Sequence, residues 1–153
     1  MEEATKKVLS KLESMCSRRE YCSSDIYEKA IKALDGDKDA ATEVLESLKA
    51  DKYVDDFRYA SAYAREKASI SGWGPVKIRY TLSAKRISRE AIDAAFAEID
   101  PDQADSKLEK VLETKWHTLE GDPQAKLKLL KFALSRGYEY ESVKDIVEKI
   151  NRG

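Results

Sequence analysis

The sequence predicts an all-α protein made of three tandem three-helix repeats that form an elongated, curved array, and three observations carry that prediction. Ala, Glu, Lys and Leu, all strong helix formers, dominate, while runs that alternate apolar and polar residues in the manner of a strand are nearly absent. The three prolines, Pro75, Pro101 and Pro123, fall where the apolar periodicity resets, as helix starts and linker positions do. Most tellingly, one apolar helical stripe recurs three times: Ala41, Val44, Leu45, Leu48; then Ile92, Ala95, Phe96, Ile99; then Val143, Ile146, Val147, Ile150. The offsets are equal, 92 − 41 = 51 and 143 − 92 = 51. The units are read as residues 1–52, 53–100 and 101–153. A unit of this size is near the lower limit for an independent core, so each should lean on its neighbours and extend the array in one direction.

In the first unit, Val8, Leu12, Met15 and Cys16 mark a helix from about Glu3 to Arg18. Ser23 or Ser24 should cap the second helix, with Ile26, Ala30, Ile31 and Leu34 inward, and Asp35-Gly36-Asp37 turns the chain into the third. The middle unit opens with Asp55 and Asp56, placed to accept from the orphan N–H groups of a first turn. Phe57, Ala60, Ala64 and Ala68 make its inward stripe, and the helix should end near Ser69 at Ser71-Gly72-Trp73-Gly74-Pro75. A second helix sets Ile78 and Leu82 inward, and a third follows from about Ser88 to Ile99. From Pro101 a long helix carries Leu108, Val111, Leu112, Lys115 and Trp116 on one face. After Gly121-Asp122-Pro123 comes a helix with Leu127, Leu130 and Leu134 inward, and Arg136-Gly137-Tyr138 leads into the last.

The run YVDDFRYASAYAREK, followed by GWGPVKIRYTL and AKRIS, resembles the RecX family, bacterial regulators of the recombinase RecA. The resemblance extends more weakly through KLKLLKFALSRGYEYESV, and so over most of the chain. Arg86 departs from it, because the family commonly has glycine before the apolar residue at that turn. What the resemblance implies is a protein that docks in the helical groove of the RecA–DNA filament, hinders ATP hydrolysis and strand exchange, and blocks filament growth or promotes disassembly. It implies no cofactor.

Composition limits the alternatives. With 28 basic and 29 acidic residues the formal net charge is -1, so no global electrostatic attraction to nucleic acid exists. Residues 52–99, however, carry 9 basic against 6 acidic residues (9 − 6 = +3), while the flanking thirds are negative. Weak, salt-sensitive binding to bare DNA is expected, and single-stranded DNA should be met mainly within the filament. Cys16 and Cys22 lack the spacing and histidines of a zinc site and read as free thiols of a reducing cytosol. No apolar run approaches the roughly 20 residues of a membrane span, and MEEATKKVLSK lacks the form of a signal peptide; a cytoplasmic monomer is expected.

No catalytic pattern stands out. His117, the sole histidine, lies at a helix end without a recognisable nucleophile motif, and Gly72-Trp73-Gly74 lacks the lysine and hydroxyl residue of a phosphate-cradling loop. The chain therefore reads as a binding protein rather than an enzyme. Trp73 either covers the end of the core or presents an aromatic face for stacking or anchoring. Together with it, Arg58, Arg65, Lys67, Lys77, Arg79, Lys85, Arg86 and Arg89 form the candidate surface for RecA or DNA, set against a reading in which many of these charges only solvate helices. The alternative function is a helical DNA-binding module that acts without RecA. The helix it would insert, SREAIDAAFAEI, carries Arg89 at its start and then turns acidic, which argues against base readout.

Overall fold

The computed structural model describes residues 1–153 as nine α-helices and no strands. They are α1 (Glu3–Arg18), α2 (Ser23–Ala33), α3 (Lys38–Ala50), α4 (Asp56–Ser69), α5 (Pro75–Ala84), α6 (Arg89–Ala97), α7 (Pro101–His117), α8 (Ala125–Ser135) and α9 (Tyr140–Arg152). No helix is long and apolar enough to cross a membrane. Each successive triplet closes around its own apolar cluster, centred on Ile26, Val44 and Leu48 in the first, on Ala64, Ile78 and Leu82 in the second, and on Leu112, Leu129 and Val143 in the third. Contacts between triplets link neighbours in the chain. The exposed area, 9725 Å², exceeds the roughly 7,800 Å² of a compact monomer of 17.3 kDa, as an extended array requires.

The 51-residue period is visible in the backbone. Asp35, Arg86 and Gly137 (86 − 35 = 51, 137 − 86 = 51) all have left-handed φ, of 54°, 62° and 92°, and each ends the second helix of its unit. In each, the following N–H reaches back to a carbonyl five residues earlier: Gly36 to Ile31, Ile87 to Leu82 and Tyr138 to Ala133, at 2.9–3.2 Å. This is the Schellman closure, which satisfies carbonyls that the helix end would otherwise leave open. Arg86 thus stands where glycine is favoured, and the turn forms nonetheless.

These second helices are joined head to tail. The α5 N-terminus has no side-chain cap; instead the Gly74 and Val76 N–H groups donate to the Arg136 and Gly137 carbonyls at the end of α8, at 2.7 and 2.9 Å. The orphan donors of one helix thereby satisfy the orphan acceptors of the next, and the two dipoles align. The approach is so close that a Cβ on either Gly74 or Gly137 would overlap the facing backbone or Lys77. Tyr138 locks the joint by donating its hydroxyl to the Gly72 carbonyl at 3.0 Å, in a buried position.

The joint between the first two units uses side chains for the same purpose. Asp56 accepts from the Ser23 N–H (2.8 Å) and hydroxyl (2.6 Å), and the Ser24 hydroxyl donates to the Lys85 carbonyl (2.6 Å). Neither serine caps α2 from within, contrary to the sequence expectation: Cys22 is the N-cap residue and makes no side-chain cap bond. The reason is tertiary, since both hydroxyls find better-placed acceptors on the second unit. Asp55 alone caps α4, accepting from the Phe57 and Arg58 N–H groups.

Three apolar residues expected inside lie outside. Phe57 is 53% exposed, and Tyr59 takes the buried place beside Ala60 and Ala64. On α8, Leu127 and Leu134 are exposed while Leu129 and Ala133 face the core. Leucines lie on several sides of this helix, so periodicity alone could not identify the buried side.

Candidate functional site

The turn after α4 assembles the middle unit's distinctive corner. The Ile70 and Trp73 N–H groups donate back to the Glu66 and Lys67 carbonyls, which ties Trp73 to the last turn of α4. Its indole is half-buried at the edge of the second core cluster and meets Tyr63 edge-on, with ring centroids 6.4 Å apart. Trp73 therefore covers the edge of the core, the first of its two sequence readings, and its ring keeps some surface. Lys67 and Lys77 bring their ammonium groups to 4.7 and 4.3 Å from its centroid. Neither makes an ion pair. Two cations held over one aromatic, without a carboxylate between them, attract an anion such as a phosphate or a partner's acidic side chain.

The other candidates divide by their partners. Arg58 is occupied by the first joint, donating to Glu20 at 2.5 Å and to the Lys52 and Tyr53 carbonyls at 3.0 and 3.3 Å. The Glu20 carboxylate at its side raises its already high pKa. Lys85 likewise reaches Asp25 at 3.2 Å, with its backbone carbonyl held by Ser24. Arg79 pairs with Asp93 at 2.9 Å and lies 4.5 Å over the Phe96 ring. Arg65, Arg86 and Arg89 are exposed and make no ion pair. Arg65 and Lys67, two residues apart on α4, point to nearly opposite sides of the helix. The nine residues thus do not form one patch: the Trp73 corner and the separate exposed arginines keep free cationic surface.

Acidic side chains mark the limits of that surface. The exposed side of α6 presents Glu90 and Asp93, with Glu98 exposed just past its end, and its Ala91, Ile92 and Ala95 are buried against the core. An outer face with these carboxylates is repelled by the phosphates that border a DNA groove. His117 is at the surface beside Glu120, as expected. Cys16 is half-buried and Cys22 fully buried, both as free thiols, and burial pushes each thiol pKa up. No group of His, Cys, Asp and Glu side chains is arranged to hold a metal ion. Sequence reasoning missed Asp56 and Cys22 as joint residues: Asp56 reaches across to Ser23, and Cys22, from the first unit, packs in the apolar cluster of the second.

The fold and this corner define a helical-repeat solenoid whose middle unit holds two unpaired lysines over one tryptophan. Comparison with known proteins agrees with that class. Residues 55–95 match the family pattern described as RecX, second three-helix domain. The chain is 32% identical over 117 residues to the regulatory protein RecX of Clostridium botulinum (strain Eklund 17B / Type B), covering 74% of this chain and 54% of that one. It is 35% identical over 94 residues to that of Escherichia coli (strain SE11), covering 61% of this chain and 56% of that one. A crystal structure of RecX from Lactobacillus salivarius superposes with a TM-score of 0.80 at 19% identity, covering 99% of both chains. Another crystal structure of regulatory protein RecX gives 0.84 at 22% identity, covering 95% of this chain and 72% of that one. The chain thus resembles the RecX family over most of its length and carries the pattern of that family's second three-helix domain. It spans about half the length of the curated relatives it matches.

Proposed function

We propose that this protein regulates homologous recombination and the DNA-damage response by binding the RecA–DNA filament and inhibiting its ATPase and strand exchange. The observation that carries the reading is that the unit matching the family pattern sets two unpaired cations, Lys67 and Lys77, over the half-buried Trp73 and adds the unpaired Arg65, Arg86 and Arg89. In this reading the units 1–52, 53–100 and 101–153 span neighbouring RecA protomers as a monomeric, cytoplasmic array, and the middle unit faces the DNA backbone. Arg58, Arg79 and Lys85 act mainly by holding the units and helices in register. The protein needs no cofactor and carries out no chemistry itself.

The test is RecA ATPase activity on single-stranded DNA with this protein titrated in. Hydrolysis should fall as the protein approaches saturation. Unchanged hydrolysis at saturating protein would remove the reading. The alternative, a DNA-binding module independent of RecA, is disfavoured by the acidic exposed side of α6. Nanomolar binding of the free protein to a specific duplex in physiological salt would favour it instead.

A further inference from the structure

The two joints of the array occupy equivalent places in the 51-residue period, and they are not built alike. Gly74 and Gly137, which meet where α5 follows on α8, correspond to Ser23 and Arg86 where α2 meets α5 (74 − 23 = 51, 137 − 86 = 51). Because glycine has no Cβ, the α5–α8 joint closes backbone on backbone, and a Cβ on either residue would overlap the facing atoms. Ser23 and Arg86 both carry one, and no backbone-to-backbone hydrogen bond links α2 to α5. The Lys85 carbonyl, equivalent to that of Arg136 (136 − 85 = 51), accepts from the Ser24 hydroxyl instead, and the Ser23 N–H turns to the Asp56 carboxylate. Packing differs in the same sense. Helix α4 lies against α7, and Arg136 and Tyr138 reach from the third unit to the Ser71 and Gly72 carbonyls. No helix of the first unit packs on a helix of the second to that extent. Beyond the serine and Asp56 bonds, what crosses is Cys22, buried in the second apolar cluster, and two ion pairs. These are Arg58 with Glu20 at 2.5 Å and Lys85 with Asp25 at 3.2 Å, and their side chains are 31–43% exposed.

We propose that the α2–α5 joint is a salt-sensitive hinge about which the first unit turns, while residues 53–153 move as one body. Units that share only a small, polar interface move relative to one another by default. Opening the α5–α8 joint would strip buried backbone N–H and C=O groups, and the buried Tyr138 hydroxyl, of their partners. At the α2–α5 joint the crossing groups are hydroxyls, carboxylates and cations that solvent reaches, so water replaces each partner as it is released. Salt weakens the two ion pairs further, because partly exposed charges are screened. Cys22 is the one small apolar side chain of the first unit seated in the second cluster, and it serves as the pivot. The arrangement lets the first unit re-aim along an extended partner while the Trp73 corner, braced from the third unit through the Ser71 and Gly72 carbonyls, keeps its shape. The hinge follows from the joints themselves and does not depend on RecA being the partner.

Residual dipolar couplings of the isotopically labelled full chain, weakly aligned in an uncharged medium and fitted unit by unit, measure this directly. Residues 53–153 should fit one alignment tensor at every salt concentration. The magnitude of the first unit's tensor, relative to that of the other two, should fall about twofold between about 0.05 and 0.5 M sodium chloride, as the ion pairs are screened. Glu20→Gln/Asp25→Asn removes both pairs and alters no member of the apolar clusters. This variant should show the reduced order already at low salt, with no further fall. Helical Cα chemical shifts retained in α1 to α3 separate a turning unit from an unfolded one. One tensor for the whole chain at both salt concentrations overturns the proposal, as does a third unit that loses order as readily as the first. A variant with wild-type order and salt response would show that the pairs do not hold the joint, and loss of helical shifts from α1 to α3 would make the change local unfolding; either result overturns the hinge.

Discussion

Arg86 shows how a single side chain can be tolerated where the backbone favours none. At φ 62° it closes α5 in the left-handed region, which costs a residue with a Cβ roughly 1–2 kcal/mol relative to glycine. Its side chain makes no ion pair that would offset this. Glycine also adds freedom to the unfolded chain, an opposing effect of roughly 0.4–1 kcal/mol. Arg86→Gly should therefore raise stability by about 0.5–1 kcal/mol, read from the midpoint of a urea melt; a lower midpoint would mean that the guanidinium has a structural partner in solution. Cys22 gives a second test at this scale. Because burial raises its thiol pKa, the folded chain keeps a proton that the unfolded chain releases at lower pH. The associated stability is complete below the ordinary thiol range and declines as pH rises through it. Disulfide reagents should modify half-buried Cys16 slowly and Cys22 only on unfolding; rapid double modification of the native protein would contradict the buried placement.

At the scale of the element, the joints decide how helices that are individually short act together. Asp56→Ala leaves the Ser23 N–H and hydroxyl without their acceptor in a part-buried position, a loss of about 1–3 kcal/mol. Its effect should appear as faster hydrogen exchange in α1 to α3 relative to α7 to α9. Gly137→Ala is more severe, because it places a Cβ against Lys77 and forces alanine to a φ of 92°. The expected cost is on the order of 2–3 kcal/mol, with the third unit melting first. A single unshifted cooperative transition for this variant would show that the α5–α8 junction relaxes more easily than its geometry implies. The same junction explains why Gly72-Trp73-Gly74 contains glycine: Gly74 is needed for the approach of another helix end, which no local turn rule reveals.

For the whole molecule, serial packing predicts a radius of gyration above the roughly 15 Å of a compact domain of this length, with no concentration dependence in small-angle scattering. A compact particle or a micromolar dimer would contradict the array. The proposed function also becomes testable residue by residue. Changing Lys77, Arg79, Lys85 and Arg86 together would break the Arg79–Asp93 and Lys85–Asp25 pairs along with any partner contact. Replacing Arg65, Lys67, Lys77 and Arg89 with alanine spares both pairs. If each supplies about 1 kcal/mol of binding and the terms add, affinity for the RecA filament falls about a thousandfold. Helical circular dichroism and a cooperative melt should persist while inhibition is lost; full inhibition by this folded variant would remove the cationic corner from the mechanism.

By itself the sequence determined the helical class, the three-fold repetition and the approximate course of each helix, because these follow from local periodicity, capping chemistry and the spacing of 51 residues. It also singled out the Trp73 turn and the nine residues around which a binding surface was sought. Only the tertiary structure decided which of those cations are free. Arg58 and Lys85 read in sequence as candidates for a RecA or DNA surface, yet their partners Glu20 and Asp25 belong to another unit, 38 and 60 residues away. The same holds for Ser23, a plausible cap that instead meets Asp56, and for Leu127 and Leu134, whose exposure depends on which side of α8 the rest of the third unit covers. Periodicity specifies that a helix has a buried side, but where leucines lie all around, packing against distant helices selects it.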